Sequence, residues 1–388
     1  MQIDFHYYAT YCAAFIAGYS SEESLEIGYA DEFTDHCTVT LLKKIGARKE
    51  AATSQIQLEL ANMPTDILGI QEITRIWSSF HFLPYDLQAE KKGCSRRYLN
   101  KYRLICKPNG ELLKDTVEIA KNGSLQAVGI AMHILADTWS HSYFAGTPSL
   151  VINNTNFHFY ELVNEGGTEL RKKIKFSHNP AVSDDVISGH YTASVYQGNE
   201  KSIMNLGHGR AGHFPDYSFA RYAYLPAWGE YEEIIKDNPS DYYKAFCQMV
   251  YAMKYLRGEI ATFEKDTYAY DIVEPYREEI MSILTKRRRN ATEGWKEFGE
   301  KLTGVSICDF DEKAYFQEYM STPKQDRDKT VLGRFIFSAL EQKSMVTNRI
   351  FSSGSLLAGV SVNYEDMNLK DKEKFKRFFE SVSRRKGT

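Results

Sequence analysis

Apolar positions recur with a helical period along most of this chain, and that spacing predicts an all-α fold, a multi-helix bundle. Residues 5–18 are apolar and aromatic and stop at Gly18. Ser20 and Ser21, followed by Glu22 and Glu23, mark a second helix running to about Asp35, since acids in a first turn suit the helix dipole. Residues 37–61 read differently. CTVTLL and SQIQLEL alternate and carry β-branched residues, which predicts a small β-hairpin. ILGIQEITRIWSSF returns to helical spacing, and FHFLPYD ends it at Pro84. Residues 87–115 are basic and polar and predict an exposed excursion. Residues 146–207 are rich in Asn, Gly, Ser and Thr and predict loops with short helices. An irregular stretch of that length in a compact protein is often functional. Residues 240–262 predict an amphipathic helix capped by Ser240. Residues 273–303 and 329–345 predict further helices, and the tail from Leu369 predicts a basic amphipathic helix. The whole is read as one domain, a core of residues 1–260 with a helical extension, 261–388, packed on it.

Composition narrows the partners. The formal net charge is -3, which gives no electrostatic case for long nucleic acid or an anionic bilayer. The 26 tyrosines and 22 phenylalanines fill a large core or line a pocket for a planar or fatty group. No apolar run approaches the roughly 20 residues that span a bilayer. The N-terminal stretch lacks a basic region and carries Asp4 and His6, so it is not read as a signal peptide, and cytoplasm is the expected location. The six cysteines never form a CxxC pair, which argues against a cysteine zinc knuckle or a redox motif.

The chemistry sits in histidines and aspartates. None of the ten histidines precedes Asp or Glu, which removes the HD dyad and the HExxH helix. Gly207–Gly212 formally fits GxGxxG but lacks a strand-to-helix context, so a dinucleotide fingerprint is set aside. His133, Asp137 and His141 lie at i, i+4 and i+8 in AMHILADTWSHSYFAG and share one stripe of a helix. The residues between them are apolar, so neighbouring helices must cover the segment. A buried Asp between two His implies a metal or a closed hydrogen-bond network. GHGRAGHFPD places His208, His213 and Asp216 on a glycine-rich turn that folds tightly enough for side chains to converge. His6 lies in the apolar DFHYYATY stretch, Asp31 and Asp35 share one helix face, and His81 sits between two phenylalanines.

In chain order these residues resemble the ligands of the zinc-dependent phospholipase C and P1-type nuclease superfamily, all-helical enzymes with three clustered zinc ions. The chain is also similar to an uncharacterised bacterial family of unknown function that shares the DFHYYATY, FHFLP, HxxADTWSH and GHGxxGHxPD segments. The superfamily resemblance implies that Asp35, His81, His133 and Asp137 hold one zinc, with Asp137 bridging. It implies that His141 with His208 or His213 and Asp216 hold a second, and that His6 helps to hold a third. Asp35, or Asp31 if unligated, is then the base that orients water, and Arg210 neutralises charge developing on phosphorus. Three departures stand out. Met1 replaces the superfamily's N-terminal Trp, His141 follows Asp137 closely, and the last motif is His-xx-Asp. The expected function is phosphate-ester hydrolysis, on a nucleotide, nucleic acid or phospholipid. Two other readings stand beside it: a scaffold or binding protein with structural zinc, and a metal-dependent hydrolase of amide or acyl bonds.

Overall fold

The computed structural model describes residues 1–64, 66–155, 158–177, 182–193 and 206–361. A π-helical turn, Asp4–Ala9, runs straight into α1 (Thr10–Ile16). The helices α2 (Ser21–His36), α3 (Val39–Lys44), α4 (Gln57–Ala61), α5 (Ile67–Phe80), α6 (Arg96–Tyr102), α7 (Glu111–Ala120), α8 (Leu125–Ser140) and α9 (Leu150–Asn153) follow. Strands β1 (Tyr160–Glu165), β2 (Thr168–Lys173), β3 (Arg221–Tyr224) and β4 (Ile234–Asp237) come next. The chain then continues through α10 (Asn238–Leu256), α11 (Tyr270–Val273), α12 (Arg277–Thr285), α13 (Thr292–Thr303), α14 (Phe316–Ser321) and α15 (Val331–Ser352).

α8 is the hub, buried from Gln126 to Ser140. α2, α10, α15, α7 and α5 pack around it, and α13 packs on the Asp4–Ala9 turn. Local signals set the helix starts. Ser20 closes a capping box on α2: its hydroxyl accepts from Glu23 N, and the Glu23 carboxylate accepts from Ser20 N. α10 begins two residues before the predicted Ser240. Its cap is Asp237, whose carboxylate accepts from Ser240 N.

The α2–α8 contact brings the site together, and it depends on Gly129. A Cβ there would lie 2.5 Å from Ile27 O and 2.9 Å from Asp31 N. The two helix backbones therefore touch, and His133, one turn further along α8, comes up beside Asp31 of α2. Gly129→Ala should gain about 1 kcal/mol of helix propensity. It should lose about 2–3 kcal/mol to a clash that no rotamer relieves. A net loss of about 1–2 kcal/mol is expected, read as a lower denaturant midpoint at unchanged slope.

The all-α expectation is wrong. A four-stranded antiparallel sheet, order β2-β1-β3-β4, is built partly from the stretch predicted as loops. Gly166 and Gly167, both with positive φ, make the tight turn between β1 and β2. β2 is exposed throughout, so it carries no apolar alternation for a pattern to detect. The hairpin predicted at 37–61 is also wrong, because that stretch holds α3, a 3-10 turn and α4. Thr38 caps α3 by accepting from Leu41 N, Lys43 and Lys44 suit its C-terminal dipole, and Leu42 is buried. Capping and burial outweigh the β-branched residues there.

Part of the aromatic excess has a structural use. Phe82, Phe144, Phe159, Phe214, Tyr222 and Tyr224 belong to a second core between the sheet and the GHGRAGH turn. The predicted tail helix, from Leu369 on, lies outside the described residues. Among the described residues no helix is long and apolar enough to cross a membrane.

Candidate metal centre

Five segments deliver side chains to one buried place. α8 presents His133 and Asp137 a turn apart, and His141 caps its end, with His141 N on Asp137 O at 2.9 Å. α2 presents Asp31 and Asp35, again one turn apart. His81 caps the end of α5. His6 belongs to the π-helical turn, a geometry frequent at functional sites. His208 and Asp216 come from the GHGRAGHFPD turn, where a Cβ at Gly212 would lie 2.2 Å from Thr192 O.

The first set of donors is Asp35, His81, His133 and Asp137. His81 Nδ1 lies 3.2 Å from His133 Nε2, 3.3 Å from Asp137 Oδ2 and 3.5 Å from Asp35 Oδ1. His133 Nε2 lies 3.3 Å from Asp137 Oδ2 and 4.0 Å from Asp35 Oδ1. A tetrahedral ion with bonds of about 2.1 Å requires ligand-to-ligand edges of about 3.4 Å. Five of the six edges scatter around that value, and Asp35, His81 and His133 form the group whose ligand atoms all lie within 4.8 Å of one another. The second set is His141, His208 and Asp216, with Asp216 Oδ1 at 3.2 Å from His141 Nε2 and 3.5 Å from His208 Nε2. The donors His6, Asp31 and His133 also lie within 4.8 Å of one another, and the superfamily resemblance would put a third ion near His6, at the other oxygen of Asp137. Oδ1 is 3.3 Å from His6 Nε2 and 2.7 Å from the Met1 amine. Neither ring nitrogen of buried His6 has an aligned hydrogen bond among the described residues. An orphaned imidazole beside a carboxylate fits a ligand to an absent cation.

The family model described as "Family of unknown function (DUF6765)" matches residues 1–384. The chain belongs to the DUF6765 family. No curated protein and no solved structure matches it.

In this DUF6765 protein four of the rings, all but His6, are pinned from behind by a group that can only accept. His81 Nε2 donates to Thr53 O at 2.9 Å, His141 Nδ1 to His81 O at 2.9 Å, and His208 Nδ1 to Gly212 O at 2.8 Å. His133 Nδ1 donates to Asp31 Oδ1 at 3.1 Å. Such partners fix which nitrogen is left for an ion.

The electrostatics agree with a cation site. Burial alone would raise the Asp137 carboxyl, but His141, the Met1 amine and His133 outweigh it and hold it well below the usual range. Asp216 is also held well below the usual range, against burial, by His208 and the amine. Burial would lower His133, yet Asp137 and Asp35 raise it to about 10. The Met1 amine, also opposed by burial, is raised to about 11 by Asp137, Asp216 and Asp35. Without an ion, protons thus supply the positive charge this acidic centre requires. Burial pushes His208 down to about 4, which leaves a neutral imidazole with a free lone pair.

The structure brings His6, Asp35, His81, His133, Asp137, His141, His208 and Asp216 together. It also separates the two turn histidines. His208 joins the second set, while His213 is 59% exposed and meets the outer oxygen Asp216 Oδ2 at 3.3 Å. Asp31 is fully buried behind His6 and His133 and does not face water, so it is no base. Arg210 is buried and donates from Nη1 to Asn154 Oδ1 at 3.4 Å. Sequence reasoning missed the carbonyls of Thr53, His81 and Gly212, which have no residue signature. It also missed the role of Asp31, for which the Asp31–Asp35 spacing was the available clue.

Proposed function

We propose that this DUF6765 protein is a zinc-dependent phosphoesterase that hydrolyses its substrate with an activated water. The convergence of Asp35, His81 and His133, with Asp137 Oδ2 at 3.3 Å from both rings, carries the reading. Mixed imidazole and carboxylate donors favour zinc over magnesium, which prefers six oxygens. The second set offers three protein donors, and a catalytic zinc site keeps its fourth position open. Zinc bound there supplies Lewis acidity for phosphoryl oxygens and for water at neutral pH.

The chain's own residues then divide the work. Asp137 turns Oδ2 toward His133 and Oδ1 toward His6, so it would serve as a ligand shared between two ions. Asp35 is 35% exposed, whereas Asp137 is 1% exposed, so the centre opens toward solvent at Asp35. His133, His6 and His81 outweigh burial and lower the Asp35 carboxyl, which keeps it an acceptor that orients the attacking water. Arg210, two residues after His208 and bonded to Asn154, is the residue that the superfamily resemblance would assign to negative charge developing on phosphorus. Charge also favours an anionic substrate. Two divalent ions match the four carboxylates Asp31, Asp35, Asp137 and Asp216, and a third leaves a surplus that a phosphate ester can answer. The chain order of the ligands, like that of the phospholipase C and P1-type nuclease superfamily, supports the same reaction class. A nucleotide, a nucleic acid end or a phospholipid headgroup each carries such an ester.

The test is hydrolysis of bis(4-nitrophenyl) phosphate by protein stripped with chelator and then reloaded. Zinc should restore turnover and magnesium should not. Zinc-loaded protein with no turnover, on this diester or on 4-nitrophenyl phosphate, would support a structural metal site instead.

A further inference from the structure

Asp31 lies behind two rings that face different metal positions. Its Oδ1 accepts from His133 Nδ1 at 3.1 Å and lies 2.7 Å from His6 Nδ1. The His6 contact is a close approach without hydrogen-bond alignment, whereas the His133 contact is a hydrogen bond. The other oxygen, Oδ2, accepts from Thr10 Oγ1 at 2.6 Å. The two rings stack with centroids 3.9 Å apart and planes 20° apart, so each packs against the other's face. Asp31, His6 and His133 are each 0% exposed, so no water competes for these contacts. On the far side the rings diverge in task. His133 Nε2 completes the first set, and His6 Nε2 meets Asp137 Oδ1 at the third position. The second set is not backed by Asp31, although His141 Nδ1 also lies 3.3 Å from Asp137 Oδ2. His141 is backed by His81 O and His208 by Gly212 O.

We infer that Asp31 is a positioning residue that couples the first and third metal positions, so that they fill and empty together while the second fills independently. This rests on the proposed zinc centre. An ion that takes Nε2 of either ring leaves that ring's proton on Nδ1, facing Asp31. The carboxylate then holds both stacked rings in the orientation the second ion needs. Its charge also strengthens both imidazoles as donors, as carboxylate partners of metal-bound histidine do.

The experiment is zinc titration of the metal-free full chain by calorimetry and chelator competition, with thermal melting in parallel. Wild type, Asp31→Asn, Thr10→Val and His208→Ala are compared. Asp31→Asn keeps the shape and removes the charge. It should weaken two ions together by about 10–100-fold and leave one unchanged. Thr10→Val, which frees only the far oxygen, should shift the same two by less, and it carries the test if Asp31→Asn does not fold. His208→Ala should weaken the remaining ion alone. Weakening of one ion only, or of all equally, would overturn the coupling, as would a wild type that loads only two ions. A folded wild type that binds no zinc would instead overturn the metal centre itself.

Discussion

Asparagine in place of Asp137 will lower phosphodiester hydrolysis by about 10^3-fold or more and will take zinc with it. Asp137 is 1% exposed, and its two oxygens face two different metal positions. An amide offers one weak oxygen donor and one nitrogen that cannot bind zinc, so one of the two positions loses its ligand outright. Losing about 4 kcal/mol of transition-state stabilisation corresponds to about three powers of ten in rate. The metal-free protein should suffer as well. Asp137 lies within 3.3 Å of a ring nitrogen of His6, His81, His133 and His141, and 2.7 Å from the Met1 amine. Breaking a buried charge set by removing one partner costs about 3–5 kcal/mol. The measurement is turnover of bis(4-nitrophenyl) phosphate beside a melting curve for each protein. Equal turnover in folded wild type and variant would exclude Asp137 from the chemistry.

Chelation should produce the second large effect. A ligand that binds only the folded state at a thousandfold excess over its Kd stabilises it by about 4 kcal/mol. Two or three zinc ions therefore shift the melting temperature by an amount on the order of 10 °C in a chain of this size. The structure gives the cause. Without cations, Asp31, Asp35, Asp137 and Asp216 rely on protons held on buried imidazoles and on the amine. The loss should be reversed by zinc and not by magnesium. Differential scanning calorimetry with and without chelator reads it directly. An unchanged melting temperature after verified metal removal would contradict this part of the account.

Part of the centre was legible in the sequence because helix geometry is periodic. His133, Asp137 and His141 at steps of four had to share a stripe, and the apolar residues between them had to be covered. The GHGRAGHFPD turn was legible through its glycines, but the choice between His208 and His213 was not. That choice depends on Gly212 O holding one ring inside while the other stays at the surface. His6 was the least legible. Its placement comes from a π-helical turn, which no residue pattern announces, and from close approach of Tyr7 O to Gly28 on α2. The fold was read too simply for a related reason. β1 and β2 form a hairpin whose outer strand is exposed on both faces, so its cue was the Gly166–Gly167 turn and not alternation. At 37–61 the error ran the other way. Alternating threonines suggested strands where a Thr38 cap and a buried Leu42 made a helix.

One diffraction experiment bears on all of this. Anomalous difference maps, collected above and below the zinc edge on crystals grown without chelator, place each ion without reference to activity. Peaks are expected among Asp35, His81, His133 and Asp137 and among His141, His208 and Asp216. Flat maps at both places, with the same side chains bonded only to one another, would contradict the metal centre.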